Sequence, residues 1–146
     1  MHVSSRLAIY ALLELAEEPD RQISVSEIGE KYGVSAHHLA KVMHTLGRAG
    51  LVRSIRGVGG GYVFCGNPRR TTLLDVITLF ESTAPGADDN DNAATETEAG
   101  RALAQVMHEI DDIARATFGA ITLSTMLKQM HRRRAPRGET ATTSPS

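Results

Sequence analysis

His37, His38, Lys41, His44, Thr45 and Arg48 crowd one short stretch of chain, and Arg53 and Arg56 follow it just ahead of Gly57-Val58-Gly59-Gly60-Gly61. Imidazole, ammonium, hydroxyl and guanidinium groups are donors and cations, the partners that phosphate oxygens and base edges accept. Acids are missing from the same stretch. No Asp or Glu occurs between Glu30 and Asp75, whereas Lys31, Lys41, Arg48, Arg53, Arg56, Arg69 and Arg70 do, a formal +7. Such a run is either an ordinary solvated face or a polyanion site, and the complete absence of acids favours a nucleic-acid footprint. The net charge of −1 conceals this because charge is segregated: residues 1–82 carry +1, residues 83–130 carry −5 and residues 131–146 carry +3.

Other chemistries fit these residues less well. His37, His38 and His44 have no nearby Cys or carboxylate to complete a metal coordination set. The glycine run lacks the Gly-Lys-Ser/Thr ending of a nucleotide-phosphate loop, and it stands between two β-prone runs rather than ahead of a helix. No Ser/His/Asp or Cys/His pairing marks an enzyme, and Glu109, Asp111 and Asp112 read as the wet side of a helix. Cys65 is the single cysteine, which excludes an intramolecular disulfide framework and any four-thiolate zinc or iron-sulfur site within one chain. It is expected to be a buried strand residue, with a redox thiol as the alternative.

The elements that must position these groups follow from capping and periodicity. At 146 residues and 41% apolar composition the chain suits one core, or a compact domain with an extension. Ser4 and Ser5 are expected to cap a first helix with Leu7, Tyr10, Ala11 and Leu15 at helical spacing, ending at Pro19-Asp20. Ser24-Val25-Ser26-Glu27 has the form of a capping box and opens a second helix to Tyr32. Gly33 permits a turn, Ser35 caps again, and a third helix is predicted from Ala36 to Ala49 before Gly50. From Val25 to Met43 the pattern is that of a helix-turn-helix: Gly29 is small where helices cross, Gly33 lies at the turn, and Ile28, Val34, Leu39 and Val42 lock the pair. With Leu39, Val42, Met43 and Leu46 inward, Ser35, Ala36, His37, His38, Lys41, His44, Thr45 and Arg48 remain outward. Leu51–Ile55 and Tyr62–Cys65 flank the glycine run as a hairpin, whose tip with Arg53 and Arg56 suits minor-groove or phosphate contact.

Thr72–Asp75 starts a fourth helix to about Glu81, and residues 82–98 read as a flexible acidic loop. Leu103, Val106, Ile110, Ile113, Thr117 and Ala120 then alternate spacings of three and four, a heptad-like seam on a long helix. A short helix over Thr122–Met130 and a mobile basic tail from His131 complete the reading. The resulting fold class is mainly α with a small β-hairpin wing. Met1–Ala16 mixes polar residues into its apolar ones and suits neither a signal peptide nor a membrane span, so a cytoplasmic placement is expected.

These residues resemble a known family. SSRLAIYALLELA, ISVSEIGEKYGVSAHHLAKVMHTLGRAGLVRSIRG, GGGYVF and TTLLDVITLFE are similar to bacterial winged-helix transcription regulators of the iron-sulfur cluster regulator and nitric-oxide-sensitive repressor type, the IscR/NsrR type. The likeness covers Met1 to about Glu81 and resumes more weakly over Ala102–Leu127. It implies a winged helix-turn-helix over residues 1–81 and a long C-terminal dimerisation helix within 99–130, separated by the 82–98 loop and followed by the 131–146 tail. It also implies a homodimer on a palindromic double-stranded operator. In that setting Ser35, His37, His38, Lys41 and His44 would sit at the major groove and Arg56 with Gly57–Gly61 at the wing tip. The seam from Leu103 to Thr117 would form the dimer contact.

The chain departs from the family pattern where several members hold an iron-sulfur cluster. Those members supply three cysteines from the loop before the dimer helix, aided by a histidine or an acidic residue elsewhere. Here that loop has no cysteine, and the N-terminal position where some members place an acid is Ile9. No cofactor is therefore expected, and a conventional cluster is disfavoured on ligand count. The signal is left to Cys65, to a metal or haem held by His108 and His131 across a dimer, or to a small ligand or protein effector. A protein-interaction module on a winged-helix scaffold is the alternative to DNA binding.

Overall fold

Helix α1 (Val3–Glu17) is shielded on nearly every side: Leu7, Ala8, Ile9, Ala11, Leu12, Leu13, Leu15 and Ala16 are all buried, Leu12 and Leu15 completely. In this computed structural model residues 1–57, 60–81 and 96–134 are described. A one-sided amphipathic helix is expected from the spacing, but α1 instead runs through the centre, with α3, α4, α6 and the hairpin packed around it. Tyr10, expected inward, is exposed and stacks face to face on Tyr32 with ring centroids 4.8 Å apart. The helix cap is His2 rather than Ser4 or Ser5, which fall in the first turn.

Helix α2 (Val25–Tyr32) and helix α3 (Ala36–Arg48) form the expected helix-turn-helix. Ser24 accepts the Glu27 backbone N–H, one half of the expected capping box, while the Glu27 carboxylate meets Arg21 at 3.4 Å. Gly33 turns the chain at φ 66°, and Val34 N–H donates to the Gly29 carbonyl at 2.9 Å. That bond explains Gly29 more directly than a helix crossing does. A Cβ there would stand 2.7 Å from the Val34 carbonyl oxygen and 3.6 Å from Leu39 Cδ1. The turn itself, more than the facing helix, excludes a side chain.

Strands β1 (Val52–Ile55) and β2 (Gly61–Phe64) pair antiparallel, Val52 opposite Phe64 and Ile55 opposite Gly61. Leu51 and Cys65, expected within the strands, lie just outside them, and Gly61 lies inside. Helix α4 (Leu73–Phe80) opens on a complete capping box between Thr72 and Asp75. The long helix α5 (Glu98–Ala120) is capped by Thr97. Of the acidic loop expected over 82–98, residues 82–95 lie outside the described residues, and its last residue is already helical.

Helix α6 (Leu123–Arg134) changes the domain division. Leu123 is fully buried in the core that surrounds α1, and its N–H donates to the Thr71 carbonyl at 2.9 Å. The final helix therefore belongs to the helix-turn-helix core and not with α5. It also reaches Arg134, so the tail expected from His131 begins no earlier than 135, and the rest of it lies outside the described residues. At the end of α6, Arg134 meets the largely buried carboxylate of Glu17 at the end of α1, a contact that a local reading misses.

A second polar tie joins α1 to α2. Glu14 Oε1 accepts the Tyr32 hydroxyl and lies 2.6 Å from Lys31 Nζ. Burial alone would raise this carboxyl, but the bonds from Lys31 and Tyr32 outweigh it and hold it below the ordinary value. Burial and the adjacent carboxylate drive the Tyr32 phenol far upward.

Because the Val34 carbonyl cannot retreat without opening the turn, Gly29→Ala is expected to destabilise the fold by about 1–3 kcal/mol. A urea unfolding midpoint beside that of the parent chain measures it, and an unchanged midpoint refutes the account of Gly29.

Candidate nucleic-acid interface

Helix α3 is built from its buried side outward. Leu39, Val42, Met43 and Leu46 are each at most 2% exposed and fasten α3 to the core. This leaves His37, Lys41, His44 and Arg48 exposed at spacings of four, three and four, one continuous stripe along the opposite face. Ser35 caps the helix, its hydroxyl accepting His38 N–H at 3.2 Å, and Ala36 is exposed beside it. Four cationic or imidazole side chains thus project from one side of the helix.

Two expected members of the stripe are turned away. His38 is half-buried, with its Nε2 3.3 Å from Ser4 Oγ on α1. Thr45 is also half-buried, and its hydroxyl donates back to the Lys41 carbonyl at 3.3 Å. Both sit one position round the helix from the exposed row, where the neighbouring protein and the helix backbone compete for their polar atoms. Lys31 is likewise engaged, by Glu14 from outside the acid-free stretch. A run without acids in sequence is therefore not without acids in space.

The hairpin stands beside α3, with Arg53 and Arg56 exposed. At its tip Gly60 N–H donates to the Gly57 carbonyl at 2.9 Å; Gly59 lies outside the described residues. The tip-proximal end of β2 is held by a residue that no sequence motif singles out. Ile23, ahead of α2, exchanges two backbone hydrogen bonds with Tyr62, at 2.9 and 3.0 Å, and a Cβ on Gly61 would stand 2.6 Å from the Ile23 carbonyl oxygen. The wing is thereby tied to the entry of the helix-turn-helix. Ile23 follows Arg21-Gln22 and precedes the Ser24 cap, and a lone β-branched residue there carries no pairing signal of its own.

Cys65 is exposed at the foot of the wing, not buried in the strand, and its thiol donates to the Gly50 carbonyl at 3.2 Å. It falls one residue beyond the end of β2, where the chain leaves the core. His108 lies 3.5 Å from Asp112 one turn further along α5, and His131 is exposed on α6 beside Lys128 and Arg132. Among the described residues, no three His, Cys, Asp or Glu side chains gather as metal ligands do.

Residues 1–129 match the family model for Rrf2, described as an iron-dependent transcriptional regulator. The chain belongs to the Rrf2 family. BadM of Rhodopseudomonas palustris, assigned as an HTH-type transcriptional regulator, is 47% identical over 137 residues, which span 92% of this chain and 86% of BadM. Among solved structures, IscR of T. potens superposes with a TM-score of 0.74, covering 97% of this chain and 95% of its own at 23% identity, a likeness of fold. CymR (YrzC), the global cysteine regulator of B. subtilis, gives a TM-score of 0.69 at 27% identity, covering 88% of this chain and 96% of its own. This Rrf2 protein is thus a DNA-binding transcriptional regulator with a winged helix-turn-helix, from a family of regulators rather than enzymes. No helix among its described residues is long and apolar enough to cross a membrane.

The exposed stripe and wing generate a direct test. Lys41→Ala and Arg56→Ala are each expected to flatten the plot of log affinity against log salt by about 1, the change that loss of one phosphate-contacting cation produces. Fluorescence anisotropy at several salt concentrations measures this, and an unchanged slope for both removes them from the interface.

Proposed function

We propose that this Rrf2 protein is a homodimeric, sequence-specific regulator that lays the α3 stripe of His37, Lys41, His44 and Arg48 into a major groove and the Arg56 wing tip into the adjoining minor groove. The observation that carries the reading is that stripe, exposed along the face opposite Leu39, Val42, Met43 and Leu46. Arg53 adds a phosphate contact from β1, and Ser35, Gly59 and Gly60 let backbone approach the duplex. His38 and Thr45 support the reading face from behind it.

Helix α5 supports the dimer. Leu103, Val106, Met107, Ile110 and Ile113 are each about half exposed or more, and α5 has no buried residue in one chain. Thr117 continues the row, its hydroxyl spent on the Ile113 carbonyl at 2.9 Å. A long helix with an uncovered apolar row is satisfied by the same row of a second copy, which also places two reading heads on a palindromic operator. Anisotropy with a duplex carrying the protein's own upstream region should show affinity above that for random duplex. Ile110→Asp should give a monomer by sedimentation and lose about a hundredfold in operator affinity, the contribution of a tethered second head. Equal binding to random duplex overturns sequence specificity, and a monomeric parent chain overturns the dimer.

The family is described as iron-dependent, but the donor set here does not fit a conventional iron-sulfur cluster. Its one thiol, Cys65, stands at the foot of the wing and is bonded to Gly50, and residues 82–95 contain neither Cys nor His. We therefore assign the input to a cluster-free route, a small ligand or a protein effector. Protein purified without oxygen is expected to be colourless and free of iron and sulfide; a visible absorption band with stoichiometric iron overturns this.

A further inference from the structure

We infer that the first turn of α1 is the joint through which the long helix α5 sets the position of the reading helix α3, with Glu81 and His38 as positioning residues at its two ends. The inference rests on the DNA-reading role proposed for α3. At one end, the hydroxyl of Ser5, fully buried, donates to the Glu81 carboxylate just beyond α4. The same carboxylate accepts the His2 backbone N–H at 3.3 Å and has the His2 imidazole at 3.9 Å, so it closes the N-terminus of α1, where free amides favour a negative charge. At the other end, Ser4 Oγ meets His38 Nε2 at 3.3 Å. Ser4 and Ser5 are consecutive residues of one helical turn, so displacing either displaces both.

The path continues to α5 through backbone. Leu73 N–H donates to the Ile121 carbonyl at 2.9 Å, Leu123 N–H donates to the Thr71 carbonyl at 2.9 Å, and Thr72 pairs with Thr122. These bonds tie Ile121, the cap residue that ends α5, and the link into α6 to the start of α4. Helix α4 has eight residues and a complete capping box, so it transmits a displacement to Glu81 as a short rigid rod. Apolar packing of Leu39, Val42, Met43 and Leu46 sets which side of α3 faces the core, and a polar tie at its first turn adds a directional constraint there. The Ser4–His38 bond is, among the described residues, the side-chain hydrogen bond that joins α3 to another helix, and it is directional.

The test uses the full chain with two duplexes of equal length, its own upstream region and a random sequence. Ser4→Ala and Glu81→Ala are each expected to lower affinity for the upstream duplex by about three- to tenfold. Random-duplex affinity and the salt slope should stay unchanged, since every phosphate-facing cation is kept, and the double variant should lose no more than the larger single loss. Glu81→Gln, which keeps an acceptor for Ser5, should restore most of the affinity. Without DNA, amide hydrogen exchange at residues 36–40 should quicken in Glu81→Ala as it does in Ser4→Ala. Additive losses, or exchange at 36–40 that ignores Glu81, overturn the joint. If the parent chain does not prefer the upstream duplex, the DNA-reading proposal fails while the exchange measurement still decides the joint. Should Glu81→Ala not fold, Ser5→Ala removes the same bond.

Discussion

Burial of α1 on nearly all of its sides is the constraint from which the remaining architecture follows. Leu12 and Leu15 are wholly removed from water, each contributing about 1.5–3 kcal/mol of transfer free energy, and α3, α4, α6 and the hairpin are the surfaces that remove them. A helix with so little wet face has no stable position except at the centre of other elements. Its few polar groups are consequently matched. Glu14 takes Tyr32 and Lys31, Glu17 takes Arg134, Ser5 takes Glu81 and Ser4 takes His38. Each pairing fixes one surrounding element against the same axis.

That arrangement explains how a small chain holds α3 and the wing at a defined spacing. Helix α3 is anchored in the core by Leu39 and Met43 and to α1 by the Ser4 bond. The wing is anchored to the entry of α2 by the Ile23–Tyr62 pairing, whose close approach excludes any side chain at Gly61. Function then lies in what the core leaves outside: a stripe of cations and imidazoles on α3, arginines on the wing, and an apolar row on α5. The first two suit a polyanion and the third suits another apolar helix, so the three surfaces do not compete for one partner. Along the sequence, negative charge is concentrated in residues 83–130, apart from the acid-free basic stretch between Glu30 and Asp75.

Most elements are legible in the sequence because their signals are local. Ser24, Ser35 and Thr72 each accept a backbone N–H at a helix start, Gly33 adopts the left-handed turn, and the spacing of Leu39, Val42, Met43 and Leu46 marks the buried side of α3. The family is legible for the same reason, since its motifs are contiguous runs. His37, Lys41, His44, Arg48, Arg53 and Arg56 all lie outward as expected. Cys65, His38, Thr45 and Lys31 do not follow the local pattern, because exposure and pairing depend on what another element brings alongside.

The residue types and their period were enough to determine that this chain forms a helix-turn-helix with a wing, exposes cations and imidazoles along one side of α3 and holds a single thiol. Backbone capping, helical period and ligand count are properties of short stretches and of totals. Only the tertiary structure decided that α1 is central, that α6 closes the same core instead of extending α5, and that Glu81 and His38 meet consecutive serines. Those pairings join residues 34 to 117 positions apart, and no periodicity along the chain encodes which distant carboxylate a buried hydroxyl will find.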